Sequence, residues 1–484
     1  MYQIDFKKPI HVYFVGIGGI SMSGLAQILV SEGFTVSGSD RSESAATQEL
    51  QDSGIKVFIG QRAENITDDI DLAVFTAAIH PDNPEYIAVH EKGIPSLSRA
   101  ELLGQLMKNY HLPVAVSGTH GKTTTTSMLS DILLCANADP TLSIGGILPD
   151  IGSNVRVGSS GYFVAEACEY TNSFLHMFPG IGIILNIEED HLDFFKNLAD
   201  IRNSFRRFAQ LIPADGTLII NAAIDKWEEI AQDLPCKVVT FSTEPGADYY
   251  PSDITFDQLG HPSFTLHGPA SYGPDTKISL HVPGMHNVGN ALAAIAAADR
   301  LGIQRSAGIK GLSVFTGTDR RFQYMGEKNG FTIIDDYAHH PTEIEATLRA
   351  AKACPYDRII CVFQPHTYTR TMALLDDFGA AFDNADEIIL AEIYAARETN
   401  IYKISSRSIM EKIHEHDPSK HVFYIEDFED IASFVYERAG AGDLVLTMGA
   451  GDINKVGKMI LDMDAARIEL IRKTKEREYK KIED

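Results

Sequence analysis

Val114-Ala115-Val116-Ser117-Gly118-Thr119-His120-Gly121-Lys122-Thr123-Thr124-Thr125-Thr126-Ser127-Met128-Leu129 decides the fold class. It reads as a short β-branched strand, a glycine-bearing loop and a helix, the order in which an α/β protein builds a phosphate-binding turn. In such a turn successive backbone N–H groups and the helix N-terminus face phosphate oxygens, the lysine offsets the β/γ charge and the next hydroxyl ligates Mg²⁺. The first glycine of the general G-x-x-x-x-G-K-T spacing falls at Val116, so the loop is a shortened variant. A chance Gly-Lys-Thr turn is the alternative, and the placement straight after a strand argues against it. Gly118, Thr119, His120, Gly121, Lys122, Thr123 and Thr124 are therefore candidate ATP contacts.

Outward from this turn the chain keeps alternating strand and helix signals. Upstream, His11-Val12-Tyr13-Phe14-Val15 runs into Gly16-Ile17-Gly18-Gly19-Ile20-Ser21-Met22-Ser23-Gly24, a dinucleotide-type loop with Ser21 in place of the third glycine of G-x-G-x-x-G. Asp40 closes the next strand about twenty residues on, which suits a diphosphate on a helix N-terminus and an acid reaching a ribose or base. A glycine turn that only packs a helix on a sheet is the alternative. Downstream, strands at Phe163-Val164-Ala165, Ile181-Gly182-Ile183-Ile184-Leu185 and Thr217-Leu218-Ile219-Ile220 continue the unit. Pro, Gly and Asp then punctuate short strands between about 245 and 283. A third alternation follows Thr316-Gly317-Thr318-Asp319, with strands near 331, 359, 387 and 444.

The expected fold is α/β with three domains, each on a mainly parallel sheet. These are a Rossmann-like unit over 1–110, a P-loop ATPase unit with a small antiparallel extension over 111–315, and a second Rossmann-like unit over 316–484. A chain of 484 residues is too long for one ordinary core, which agrees. The stretch 465–484 reads as a charge-mixed amphipathic helix.

Composition narrows the function. A formal net charge of -24 argues against a dedicated nucleic-acid binder, which displaces counterions with dense Lys and Arg. An acidic enzyme can still hold polyanionic nucleotides if small basic islands, helix N-termini and Mg²⁺ supply local positive potential. The first nine residues lack an apolar signal core and no apolar run is long enough to span a bilayer, so a cytoplasmic protein is expected. Five cysteines with no C-x-x-C pair read as reduced packing residues rather than disulfides or a zinc site.

Two acidic clusters fall at the C-terminal ends of expected parallel strands: Glu166-Ala167-Cys168-Glu169 and Asn186-Ile187-Glu188-Glu189-Asp190-His191-Leu192-Asp193. Ligands bind at that edge of an open sheet. Any one of these acids could be a cap or surface turn, but Glu166 and His191 beside a phosphate loop suit Mg²⁺ together with Thr123, provided that His191 is neutral.

Residues 118–123, the Glu166 strand end, the run 186–193 and Gly284-Met285-His286-Asn287-Val288-Gly289-Asn290 together resemble the Mur ligase family, over nearly the whole chain. Residues 16–24, Asp335-Asp336-Tyr337-Ala338-His339-His340-Pro341-Thr342-Glu343 and Phe363-Gln364-Pro365-His366-Thr367-Tyr368-Thr369-Arg370-Thr371 are similar to its alanine-adding branch. The resemblance implies an ATP- and Mg²⁺-dependent ligase that adds L-alanine to the carboxylate of UDP-N-acetylmuramate through an acyl phosphate, for peptidoglycan precursor synthesis. It implies that Gly18, Gly19, Ile20, Ser21, Asp40, Ala78 and His120 hold the UDP-sugar, that Asn287 and Asn290 lie near adenine, and that Arg320 and Arg321 lie near the phosphates. Asp335 and Asp336 would face the ATP ribose, and Tyr337, His339, His366 and Arg370 would line the muramoyl and alanine region. Lys122, Glu166, His191, Arg321, His339 and Arg370 are then the catalytic candidates, and Thr123, Glu166 and His191 the metal ligands. Read alone, paired arginines, Asp-Asp turns and His-His-Pro turns equally serve local hydrogen bonding. The lysine that is carbamylated in sibling ligases has no counterpart near residues 169–173, and Thr367 is neutral where some relatives look basic. A recycling ligase for a whole tripeptide, a folate polyglutamating ligase, a Rossmann oxidoreductase and an inactive nucleotide-binding scaffold are the competing readings.

Overall fold

The computed structural model describes residues 2–396, 398–464 and 467. The helix expected over 465–484 lies, but for residue 467, outside the described residues. Among the described residues three large sheets carry the units, each a strand layer between helices, and a fourth, three-stranded sheet is added to the second unit.

In the first, β1 (His11–Val15), β2 (Thr35–Asp40), β3 (Lys56–Ile59), β4 (Leu72–Phe75) and β5 (Ser96–Ser98) are all parallel, in the order β3-β2-β1-β4-β5. Helices α1 (Ile20–Ser31), α2 (Ala45–Asp52) and α3 (Pro84–Glu91) lie in the crossovers, and α4 (Arg99–Met107) leads from β5 to the next unit. Strand order reverses between β1 and β4, so the loops after these two strands border the crevice where such sheets take ligands.

The second sheet has seven strands: β6 (Leu112–Ser117), β7 (Thr141–Leu148), β8 (Ser153–Arg156), β9 (Tyr162–Glu166), β10 (Ile181–Ile184), β11 (Thr217–Asn221) and β12 (Lys237–Phe241). Their order is β12-β11-β10-β6-β9-β7-β8, parallel except for the edge strand β8. Its central strands are buried on both faces, as β10 is at all four residues, which is why they read as continuous apolar runs. The helices are α5 (Lys122–Cys135), α6 (Leu198–Ala209), α7 (Trp227–Ala231), α8 (Met285–Arg300) and α9 (Arg305–Val314), with α5 and α8 packed together over the core. The Pro- and Gly-rich stretch forms a three-stranded antiparallel sheet of β13 (Tyr250–Phe256), β14 (Pro262–His267) and β15 (Thr276–Ser279).

The third sheet holds β16 (Gln323–Lys328), β17 (Phe331–Asp336), β18 (Arg358–Phe363), β19 (Glu387–Leu390), β20 (His421–Tyr424) and β21 (Asp443–Met448), in the order β16-β17-β21-β18-β19-β20. Only β16 is antiparallel to its neighbour. Around it lie α10 (Pro341–Lys352), α11 (Tyr368–Ala373), α12 (Leu375–Ala381), α13 (Ser406–His416), α14 (Phe428–Arg438) and α15 (Asn454–Asp462).

The first two units dock through α1 and β8. A Cβ built on Gly24 would stand 2.1 Å from Cγ2 of Val155. Gly24, which closes the glycine-rich loop motif in the sequence, is therefore inside α1 and serves the contact between units.

Candidate functional site

The phosphate loop is laced down by the segment after β10. The Asn186 side chain accepts the His120 N–H at 2.7 Å and donates to the His120 carbonyl at 3.0 Å, while Thr119 Oγ1 accepts the Glu188 N–H at 2.9 Å. Gly121, at φ 82°, takes the left-handed turn that starts α5, and no side chain caps that helix end. Its first N–H groups are the donors that an anion at a helix N-terminus uses.

Lys122 points back along the loop. Its Nζ donates to the Thr119 carbonyl at 2.9 Å and meets both oxygens of Glu169 at 3.0 and 3.2 Å. Burial disfavours the ammonium, but Glu169, with Glu166 and Cys168 behind it, outweighs burial and holds the lysine pKa above its usual range. Thr123 Oγ1 donates to Glu166 Oε2 at 2.8 Å, and the same oxygen takes the Gly145 N–H. His191 lies against Glu169 and Asp190, each 3.6 Å from Nε2. Burial lowers the His191 pKa against the pull of those acids, leaving the neutral ring that a metal ligand needs. The hydroxyl, carboxylate and imidazole donors fit a hard divalent cation.

Three cavities open around this loop. The first, about 340 Å³, is walled by Gly121, Thr124, Asn287 and Asn290 of the central unit and by Arg321, Asp336 and Glu343 of the C-terminal one. Asp336 takes the N–H groups of Phe322 and Ala338, each at 2.7 Å. Burial, working against Arg321, pushes its pKa up to about 6. The second cavity, about 220 Å³, sets Tyr170, Asp190 and His191 opposite His366, Arg370 and Glu398. Arg370 grips Asp190 Oδ1 through Nε at 3.2 Å and Nη2 at 3.1 Å, and its Nη1 donates to His366 Nδ1 at 3.1 Å. The third, about 140 Å³, joins Ser21 and Arg99 of the N-terminal unit to Gly145, Glu166 and Cys168.

Most of the expected central and C-terminal site residues line these cavities; Arg320 and Asp335 do not. Arg320, expected near phosphates, is consumed within the C-terminal unit: Nε bonds Asp335 at 3.0 Å and its two terminal nitrogens bond the Gly451 and Gly449 carbonyls. Asp335, expected at the ribose, is 1% exposed and also accepts from Thr447 Oγ1 at 2.6 Å. The half-buried Arg320 and the buried Asp335 form an ion pair within the C-terminal unit, and the neighbours Arg321 and Asp336 are the ones that line the cavity. Tyr337 lies under both arginines, 4.9 and 5.2 Å from their guanidinium carbons. His339 donates Nδ1–H to the Tyr337 carbonyl at 3.0 Å, and burial drops its pKa to about 3.

At the N-terminal crevice, Asp40 Oδ2 accepts the Gly18 N–H at 2.9 Å. Gly19 is the N-cap of α1, Ile20 is 68% exposed, and Ala78 sits in the turn after β4.

Sequence reasoning gave no role to Glu169, Glu188, Asp190, Glu343 or Glu398. All but Glu398 stand in quoted motifs, and Glu343 carried a signal: a Pro at the first helical position and a Glu two residues later, as in a capping box. His120, Glu188 and His340 bring three donor atoms within 4.8 Å of one another. Both ring nitrogens of His340 are spoken for, however, Nε2 donating to the Glu189 carbonyl and Nδ1 accepting the Thr342 N–H. His120 is better described as a cation between acids. Burial opposes its protonation, but Glu343 and Glu188 outweigh this and push its pKa up to about 9.

Comparison with known proteins agrees in all three units. Sequence models described as Mur ligase family, catalytic domain, as Mur ligase middle domain, and as Mur ligase, glutamate ligase domain match residues 11–111, 116–298 and 320–451 respectively. The chain is 56% identical over 461 residues to the UDP-N-acetylmuramate–L-alanine ligase of Agathobacter rectalis, covering 95% of this chain and 100% of that protein. It is likewise 56% identical over 464 residues to that of Lachnospira eligens, with 95% and 100% covered. Among solved structures, the UDP-N-acetylmuramate–alanine ligase of Thermotoga maritima superposes with TM-score 0.77 at 28% identity, over 94% of this chain and 98% of that one. The murein peptide ligase of Psychrobacter arcticus follows with TM-score 0.71 at 27% identity, with 94% and 98% covered.

Proposed function

The chain belongs to the Mur ligase family, and we propose that it is the ATP-dependent enzyme that joins L-alanine to the muramoyl carboxylate of UDP-N-acetylmuramate. The observation that carries this reading is the 56% identity over nearly the full length to ligases named for that reaction. The site is built for its chemistry. A carboxylate is a poor electrophile, so amide formation from it requires phosphorylation first.

In the proposed reaction, ATP lies in the 340 Å³ cavity with its base toward Asn287 and Asn290 and its ribose toward Asp336. Lys122 and Arg321 stabilise the phosphates as the muramoyl carboxylate displaces ADP and becomes an acyl phosphate. Thr123, Glu166 and His191 would hold Mg²⁺, which when bound neutralises charge on the phosphate oxygens. The N-terminal crevice, from Gly18 to Ser21 with Asp40 and Ala78, takes the UDP end, and the small cavity containing Ser21 and Glu166 leads from it toward the phosphate loop.

Alanine occupies the 220 Å³ cavity. Arg370 exchanges Asp190 for the alanine carboxylate, a charge-assisted pairing of the same kind. The amine then attacks the acyl carbon and phosphate leaves. His366 cannot take the amine proton: its Nδ1 lone pair receives the Arg370 N–H, so its proton sits on Nε2. His339 keeps a free acceptor on Nε2, but with a pKa near 3 it takes a hydrogen bond more readily than a proton.

Among the described residues no helix is long and apolar enough to cross a membrane. The proposed substrates, ATP and a UDP-sugar, put the reaction in the cytoplasm, where both are made. The decisive assay is phosphate release, which requires UDP-N-acetylmuramate and L-alanine together. Efficient use of a tripeptide in place of alanine would move the assignment to a recycling ligase.

A further inference from the structure

We propose that Glu343 is a positioning residue of the reaction, tying the closed C-terminal unit to the phosphate loop through His120. The two oxygens of Glu343 are divided between two tasks. Oε2 accepts the N–H groups of His339 at 3.1 Å and His340 at 3.4 Å, completing a capping box at the start of α10. Oε1 crosses to the central unit and accepts His120 Nδ1–H at 2.9 Å. His120 belongs to the phosphate loop, fixed there by Asn186, and its other ring nitrogen lies 3.3 Å from Glu188 Oε2. A cationic imidazole is thus bracketed by one carboxylate from each unit, and both His120 and Glu343 leave only 14% of their side chains exposed.

The remaining charged or titratable neighbours are few. The His340 ring lies 5.0 Å from that of His120 and donates to the Glu189 carbonyl; Arg321 and His339 face Glu343. Burial alone would raise the Glu343 pKa, yet its charged basic neighbours, His120 and Arg321, hold it well below the usual carboxylate range. Both members of the bridge are ionised at neutral pH.

The consequence is geometric. Were the two units to separate, His120 would keep Glu188 from its own unit and Glu343 would keep its cap. The Glu343–His120 pair exists only while the units are docked, and it fixes the register in which Arg321 and Asp336 stand across the cavity from Gly121. Glu343 therefore acts on the nucleotide through the phosphate loop.

The inference rests on the ligase reading, and two measurements separate their failures. Glu343→Gln keeps the shape and, with its carbonyl oxygen capping α10, turns toward protonated His120 an NH2 group that donates and cannot accept. In small-angle scattering of the unliganded full chain at pH 7, Glu343→Gln should show a larger radius of gyration than the native chain, and Glu343→Asp an intermediate one. In the coupled assay, KM for ATP should rise about tenfold, the size expected of one lost charge-assisted hydrogen bond. The alkaline fall of kcat/KM for ATP should also move down by roughly one pH unit or more as His120 loses its acid partner. Superimposable scattering curves overturn the proposal whether or not the chain proves to be a ligase. Native turnover with an unmoved alkaline limb in Glu343→Gln overturns it as well, reducing Glu343 to a helix cap. Failure of the native chain to release phosphate, with the scattering difference intact, overturns the ligase reading alone.

Discussion

Glu169→Gln should weaken the free protein and strengthen its response to nucleotide. Both oxygens of Glu169 lie within 3.2 Å of Lys122 Nζ, and only 3% of the Glu169 side chain is exposed. Removing one partner of a buried ion pair leaves an uncompensated charge and costs about 3–5 kcal/mol. The glutamine oxygen still accepts one hydrogen bond from the ammonium, which places this substitution near the lower end. At about 2–4 °C per kcal/mol for a unit of this size, the melting temperature should fall by roughly 6–12 °C. A phosphate entering the loop has to draw Lys122 away from Glu169 in the native chain and meets an unpaired lysine in the variant. The nucleotide-induced rise in melting temperature should therefore be larger in Glu169→Gln. Thermal denaturation with and without ADP, in EDTA, measures both effects; the chelator matters because His191 lies 3.6 Å from the same carboxylate. An undiminished melting temperature, or a drop with no larger gain from ADP, would refute the reasoning.

Gly24→Ala should destabilise the docking of the N-terminal and central units by about 1–3 kcal/mol through overpacking, and Val155→Ala should rescue it, since its Cγ2 lies 2.1 Å from the new Cβ; melting temperatures of the single and double variants check this. His339 and His366 are held neutral by burial, with pKa values brought down to about 3 and about 4. A depressed imidazole pKa contributes stability that is full above about 6.5 and is lost as pH falls toward the folded-state value, so denaturant midpoints should drop from pH 6.5 to 4. His191→Ala should raise the Mg²⁺ concentration needed for turnover; a lowered kcat with an unchanged Mg²⁺ titration would make His191 an acid/base group instead. Arg370→Ala should raise KM for alanine far more than KM for ATP, while glycine and L-serine remain measurable substrates of the native chain because one methyl is worth only about 1–3 kcal/mol in a pocket.

The fold was legible where periodicity is strongest. Buried parallel strands such as Val114-Ala115-Val116 and Ile181-Gly182-Ile183-Ile184 announce themselves as apolar runs, and the Pro- and Gly-rich stretch after residue 245 proved to be the antiparallel β13-β14-β15 sheet. Edge strands were silent. The strands β3, β8 and β20 are half polar or half exposed, and nothing in a single sequence separates such segments from loops. In the site, the glycine loop and its lysine could be read because their chemistry is local. Arg320 and Asp335 could not be told from Arg321 and Asp336. The two acids are neighbours on β17, where successive side chains face opposite ways. The two arginines sit in a turn whose course is set by a left-handed Arg320, and the choice in both cases depends on what the sheet packs against. The partners of the cations were illegible for the same reason: Asp190 is 180 residues from Arg370, and Glu343 is 223 from His120.

Those partners resolve the conflict between a formal charge of -24 and a site for polyanions. Lys122 and His120 at the loop and Arg370 at the alanine cavity are each already paired with a carboxylate: Lys122 with the buried Glu169, His120 with the half-buried Glu343 and Glu188, and Arg370 with the buried Asp190. Buried and alone, such cations would be neutralised or would destabilise the fold; paired, they stay charged and ordered before any ligand arrives. A phosphate or carboxylate of the substrate then replaces one anion by another instead of having to create the charge that binds it. Two of the three pairs, Arg370 with Asp190 and Glu343 with His120, cross from the C-terminal unit to the central one. Separation of those units leaves these side chains without their cross-unit partners, so an acidic protein can confine its anion affinity to the closed arrangement in which the ligands are to react.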